Sequence, residues 1–338
     1  MKKTATIDVV MPVRGLAPWL TLALESIKRQ SLAPDQITIV DDGIECFETI
    51  EQFRSAFGDR WRVLKNDGQG VSDALNTAIS ASNADWIARM DSDDIAHPQR
   101  LEKQLAHLQE SGQDWVGCGT QVRFINEKNR ILGQSNMPVS PELCRSAMAV
   151  ICCFYHPTMM LSRPLLSKIP YRKLLEPAAD LDCWFRLLEA GAMGNLPIPL
   201  LDYRMHASQI SFRRRPEQTA SQELVWRLAR ARKLTGSDPL DSDPELGKRF
   251  VRWRLAQPGY RRARMALTAA RYGATFARGG DWRNAAQCLR TGVQSWSLHP
   301  AAMRISWRIA RHGTHDMVQD STPFPELNNR GFGTSGKL

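Results

Sequence analysis

"WIARMDSDDIAHPQRL" (residues 86–101) runs from an apolar segment straight into three aspartates, Asp91, Asp93 and Asp94. Like charges about 4 Å apart repel by about 1 kcal/mol per pair even in bulk water. A chain that gathers three of them at the end of an apolar run needs a compensating charge there. The run itself, "DWIARM" (85–90), reads as a buried strand. "PQRLEKQLAHLQE" behind it reads as a helix, with Pro98 suited to the first turn and Leu101, Leu105 and Leu108 at core spacing.

The same alternation extends outward. "TIDVVMP" (6–12), "ITIV" (37–40) and "WRVLK" (61–65) read as strands, with helices at 18–30, near 45–57 and at 70–82 between them. Short joints between alternating strands and helices predict a doubly wound, mostly parallel sheet. In such sheets ligands bind beyond the carboxyl ends of the strands, where "DDG" (41–43) and "DSDD" (91–94) both fall.

Composition bounds the rest. A chain of 338 residues with 43% hydrophobic residues suits two units, or one domain plus an appendage. No uninterrupted apolar run approaches the roughly 20 residues of a membrane-spanning helix. "MKKTATIDVVMPVRG" is read as a first strand rather than a secretion signal, because its apolar part is short and contains Asp8. Seven cysteines without a C-x-x-C pair fit reduced thiols and a cytoplasmic location. The net charge of +10 admits phosphorylated substrates, anionic lipid or nucleic acid as partners.

From about residue 213 the texture changes to Arg, Ala and Leu without strand patterns, and basic residues outnumber acidic ones by about three to one over 213–313. Helices are expected near 217–234, 245–256, 260–277, 281–296 and 299–311. The boundaries read as 1–212 for the catalytic domain, 213–316 for the basic helical region and 317–338 for a disordered tail. Trp226, Trp253, Arg252 and Arg254 are candidates for contact with an anionic membrane face, against the plainer reading that the apolar faces pack on the catalytic domain.

Asp-x-Asp at a strand end can direct two carboxylates to one side of the backbone. Mg²⁺ and Mn²⁺ prefer such oxygen ligands and commonly share them with substrate phosphates, so a metal-bound nucleotide diphosphate is one reading of "DSDD". The other is that Asp94 caps the helix near Pro98 while Asp91 solvates a loop.

Four pieces in order carry a resemblance. They are "VVMPVRGLAPWLTLALESIKRQSLAPDQITIVDDG" (9–43), "NDGQGVSDALNTAISASNADWIARMDSDDIAHPQRLEKQL" (66–105), "HPTMMLSR" (156–163) and "AADLDCWFRLLEAGAMGNLPIPLLDYRMHASQIS" (178–211). Together they resemble the family-two inverting glycosyltransferases with the GT-A fold, over residues 6–212. The resemblance implies a GT-A nucleotide-diphospho-sugar transferase: a doubly wound mixed sheet followed here by the basic helical region. It also implies transfer of a sugar to a hydroxyl of a glycan or lipid-linked acceptor in bacterial surface-polysaccharide assembly, at the inner face of the plasma membrane, with Mn²⁺ or Mg²⁺.

By that resemblance Pro12, Arg14 and Asp42 hold the nucleotide base and ribose, and Gly68 and Gly70 let the backbone approach the nucleotide. Arg14 departs from the family's usual aromatic or amide. Asp91 lies against ribose or metal, Asp93 binds the metal, and His206 completes the metal site. Asp180 takes the place of the catalytic base, with Ala179 where the family usually has Glu. His156 and Asp182 fall toward the acceptor side. From the residues alone, Asp41 and Asp42 could form a turn with Gly43, and Asp180 could cap a helix. A nucleotidyltransferase would show a Gly-rich basic loop where "MPVRGLAPWL" stands, and a nucleic-acid-binding protein would not place acids at strand ends. The alternatives kept are a nucleotide-sugar-binding protein without transferase activity, given Ala179, and a nucleotidyltransferase.

Overall fold

The computed structural model describes residues 5–15, 17–45, 47–110, 114–206 and 209–295. The helix expected near 299–311 and the tail at 317–338 lie outside them. The chain opens with β1 (Ile7–Gly15), α1 (Leu20–Lys28), β2 (Gln36–Ile44), α2 (Phe47–Phe57), β3 (Trp61–Lys65), α3 (Val71–Ala81), β4 (Trp86–Arg89), β5 (Ile95–Ala96) and α4 (Arg100–Gln109). It continues with β6 (Trp115–Ile125), β7 (Ile131–Gln134), α5 (Pro141–Ala147), β8 (Met160–Ser162), α6 (Arg163–Leu166), α7 (Ala179–Ala190) and β9 (Ala192–Arg204). Six helices follow: α8 (Ile210–Arg213), α9 (Arg215–Thr235), α10 (Pro239–Ser242), α11 (Leu246–Ala256), α12 (Tyr260–Arg278) and α13 (Trp282–Ser295).

The strands form one sheet in the order β3-β2-β1-β4-β8-β6-β9-β5, with β7 paired to β6. β3, β2, β1 and β4 are parallel, β8 lies antiparallel to both β4 and β6, and β9 runs parallel to β6. Both faces of the parallel part are covered, which is why its strands are nearly continuous apolar runs. Ile7, Val9, Met11, Ile37 and Ile39 face one core with α1 and α4. Val10 and Val40 face the other, with α3 and α7. Asp8 sits inside β1, where Thr38 and Arg62 hold it at 2.9 and 3.0 Å.

The strands from residue 115 onward were not legible. In β9 the run "LPIPLL" contains two prolines, and the pairing with β6 shifts register between Thr120 and Val122, opposite Pro199. Proline cannot donate to the ladder, so an irregularity there is the physical cost of carrying it in a strand.

The change of texture near residue 212 is not a break in packing. Leu224, Val225 and Leu228 of α9 and Leu246 and Phe250 of α11 share one core with Leu181, Trp184 and Leu187 of α7. Trp226 Nε1 donates to the Met148 carbonyl at 2.8 Å, Trp253 packs against the same core, and buried Arg254 pairs with Glu223 at 2.6 Å. Of the four residues considered for membrane contact, only Arg252 is exposed. The plainer packing reading therefore holds for the other three. Among the described residues no helix is long and apolar enough to cross a membrane.

A shared core has a thermal signature. Leu224→Ala should cost about 2–5 kcal/mol and shift one calorimetric transition covering sheet and helices together. Two transitions, with only one displaced, would show that the helices melt as a separate unit.

Candidate active site

The site is built where β1, β2 and β4 end. The β4 backbone stops at Arg89, and Asp91, Asp93 and Asp94 follow with carboxylate oxygens within 4.8 Å of one another. Buried cations answer this charge from beneath. The Arg89 guanidinium, 5% exposed, pairs with Asp91. Arg204, the last residue of β9, gives its backbone N–H to Asp94 at 2.8 Å and its Nε to the Asp93 carbonyl at 2.7 Å. Its Nη1 donates to both the Asn126 carbonyl and the Asn129 side-chain oxygen in the β6–β7 turn, at 2.9 and 2.7 Å.

Asp94 is not a helix cap: α4 begins after Gln99, which makes no side-chain cap bond. Asp94 is instead buried, and its second carboxylate oxygen has no partner. Burial, and then the charges of Asp93 and Asp91, push its carboxyl well above the ordinary range. Burial likewise raises Asp91, against the pull of Arg89. An orphaned buried oxygen among three acids is the environment a divalent cation relieves.

His206 stands beside this cluster, its Nε2 at 2.9 Å from Asp93 Oδ2. Trp19, at the entry to α1, covers it, with ring centroids 4.8 Å apart, and the Arg204 guanidinium lies 5.1 Å from the Trp19 ring centre. The donor set of carboxylate oxygens plus imidazole fits Mg²⁺ or Mn²⁺. The expected ligands Asp91, Asp93 and His206 are thus brought together, with Asp94 added by the fold.

At the end of β2 the two adjacent aspartates divide their work. Asp41 makes the turn, accepting the Gly43 and Ile44 N–H groups at 2.9 and 2.8 Å. Asp42 holds the 66–70 loop, accepting from Asn66 Nδ2 at 2.6 Å and Gly70 N at 2.9 Å. Its other oxygen lies 3.8 Å from the largely exposed Arg14 guanidinium. Pro12 pairs with Val40 in β1. Gly70 has φ +90°, and a Cβ there would stand 2.9 Å from the Glu176 carboxylate. At Gly68 a Cβ would collide with the Asp73 carboxylate. Glu176 accepts the Ser72 N–H at the start of α3 at 2.7 Å, where the helix dipole favours an anion.

Asp180 lies in the first turn of α7, accepting the Leu181 N–H at 2.8 Å. Burial raises its carboxyl above the ordinary value, Arg89 opposes that, and the charge of Asp91 adds to it. Arg89 and Asp91 thus connect the start of α7 electrostatically with the end of β4. His156 Nε2 is 3.0 Å from the Tyr171 hydroxyl, with the Trp184 ring centre 5.3 Å away, and burial pushes its imidazole well below the usual value. It belongs to an aromatic cluster behind Asp180.

Asp182 requires a correction. It is fully buried, pairs with Arg186 at 2.8 Å and approaches Arg172 at 3.6 Å. One residue pair along a helix rotates the side chain by about 200°, so Asp182 turns away from Asp180 and into the α7–α9 packing rather than toward an acceptor. Sequence reasoning also passed over Arg89, Arg204, Trp19, Asn66 and Glu176. A charged residue inside each apolar strand, "WIARM" and "LLDYRM", was the signal for the first two.

Comparison with known proteins places these features. Residues 8–169 match the model for "Glycosyl transferase family 2". The chain is 29% identical over 205 residues to the O-antigen biosynthesis glycosyltransferase WbnJ of Escherichia coli, covering 59% of this chain and 80% of that protein. Its fold superposes on S. aureus TarS in complex with UDP-GlcNAc with a TM-score of 0.54 at 14% identity, covering 87% of this chain and 93% of the other. It also superposes on the Pyrobaculum calidifontis mannosyltransferase PcManGT in complex with GDP-Man and Mn²⁺, with a TM-score of 0.50 at 16% identity, covering 95% and 89%. With its acids gathered at the carboxyl edge of a curled mixed sheet, the chain carries the GT-A fold, and residues 8–169 are similar to glycosyl transferase family 2.

Proposed function

We propose that this enzyme transfers a sugar from a nucleoside-diphosphate donor to a hydroxyl of a glycan or lipid-linked acceptor, in one displacement that inverts the anomeric carbon. The observation that carries the reading is the Asp91–Asp93–Asp94 cluster at the carboxyl end of β4, with buried Arg89 paired to Asp91 and His206 beside Asp93. The O-antigen role of WbnJ supports surface-polysaccharide assembly as the setting, at the cytoplasmic face of the membrane. The GDP-Man and Mn²⁺ bound by PcManGT support the donor class and the cation.

Asp91, Asp93 and His206 would hold Mn²⁺ or Mg²⁺, with Asp94 behind them. A divalent cation there supplies charge neutralisation for a departing diphosphate. Asp42 and Arg14 at the ends of β2 and β1, with Pro12 and the Gly68–Gly70 backbone, receive the base and ribose. Trp19 packs over His206 and shields that side of the cluster from water. Asp180 accepts the proton of the acceptor hydroxyl at its carboxylate, and that oxygen attacks the anomeric carbon opposite the diphosphate. Buried Arg89 favours the ionised form of Asp180 that this step requires.

Asp180→Asn should lower turnover by about 10²–10⁴-fold while nucleotide affinity in calorimetry stays unchanged; normal turnover removes Asp180 as the base. Asp93→Ala should lose Mn²⁺ binding, read from the electron paramagnetic resonance signal of free Mn²⁺. Unchanged binding argues against ligation by Asp93. Because the base works only when deprotonated and its carboxyl is raised, kcat should fall with decreasing pH on an acid limb above the ordinary aspartate value of about 3.9. A rate flat down to pH 4 contradicts that assignment.

A further inference from the structure

The β6–β7 turn and the joint between α12 and α13 form one surface. Asn126 Nδ2 donates to Asp281 Oδ2 at 2.5 Å, and the Arg130 guanidinium lies against Gly280. Trp282, the first residue of α13, is 70% exposed there, and Ile131 on the hairpin is 53% exposed. Lys128, Arg130, Arg278 and Arg283 are exposed around the joint. Among the described residues none of these four forms an ion pair within 4.0 Å, although the charge of Lys128 acts on nearby Asp281. Of the nearby acids, Asp281 is already hydrogen-bonded by Asn126 and Asn284, and Glu127 stands alone on the turn, so positive charge dominates.

We infer that this lip docks on an anionic bilayer surface. An exposed tryptophan among exposed cations suits a membrane interface, where the indole sits at headgroup level and the cations meet lipid phosphates. The location adds meaning to the chemistry. The turn that carries Lys128 and Arg130 also holds Arg204, through the Asn126 carbonyl and Asn129 side chain, and Arg204 holds Asp93 and Asp94. The docking surface is thereby linked through Arg204 to the acidic cluster. The inference extends the lipid-linked reading of the acceptor, and its test requires no turnover.

The test is co-sedimentation of the full chain with phosphatidylcholine vesicles, with and without about one-third phosphatidylglycerol. Binding is expected only to the anionic vesicles and should be reversed by high salt. Each cation at an anionic leaflet strengthens binding about fivefold, so the K128Q/R130Q/R278Q/R283Q variant should bind up to about 600-fold more weakly. Trp282→Ala should weaken binding without changing the salt dependence. Asp180→Asn should bind as the unaltered chain does, which keeps failure of this surface distinguishable from failure of the transferase reading. Absent binding to anionic vesicles, or undiminished binding of the quadruple variant, overturns the proposal. So does capture of a DNA duplex through the same four residues when vesicles are not bound.

Discussion

Negative charge concentrated at the carboxyl edge of the sheet is the constraint around which this molecule is arranged. Asp91, Asp93 and Asp94 stand within 4.8 Å of one another, too close to remain ionised without neighbouring positive charge. The fold answers from three directions. Arg89 rises from the floor of β4, Arg204 comes in from the end of β9, and His206 closes from the chain that follows. These groups leave one buried Asp94 oxygen without a partner, so the cluster is held in place but not satisfied. That residual demand is what a divalent cation would relieve in the proposed reaction.

The same logic governs the end of β2, with amide donors in place of guanidinium groups. Asp42 fastens the 66–70 loop to β2, and Glu176 fastens the start of α3 to the segment leading into α7. Lys173 reaches Asp73 from that same segment. The loop that would face the nucleotide is therefore clamped between the strand that positions Asp42 and the helix that positions Asp180.

The helices beyond residue 212 are part of this arrangement. Asp182, one turn into α7, lies among arginines from its own helix and from the preceding segment, while Arg232 of α9 pairs with Glu189 of α7 at 3.0 Å and with Asp238 at 2.9 Å. Removing one partner from a buried ionic group is costly because the others are left without compensation. The orientation of the Asp180 helix thus depends on a region whose sequence suggested an appendage.

How much was legible follows from the range of each interaction. The strands β1 to β4 and the helices between them could be read because continuous apolar runs and helical spacing are local signals, and the acids at strand ends were visible as breaks in those runs. The helices of α9 and α11 to α13 were visible for the same reason. The second half of the sheet was hidden by the prolines and register shifts of β9 and by the three-residue span of β8. Sequence by itself determined the alternating architecture, the position of the carboxylates and the family likeness, since all three are written in residue order. Only the tertiary structure decided that Asp94 joins the cluster rather than capping α4, that Asp182 is a packing charge, and that Arg204 and Trp19 enclose His206. Those outcomes depend on groups far apart in the chain, such as Trp19 and His206, meeting in space, and no local pattern records such a meeting.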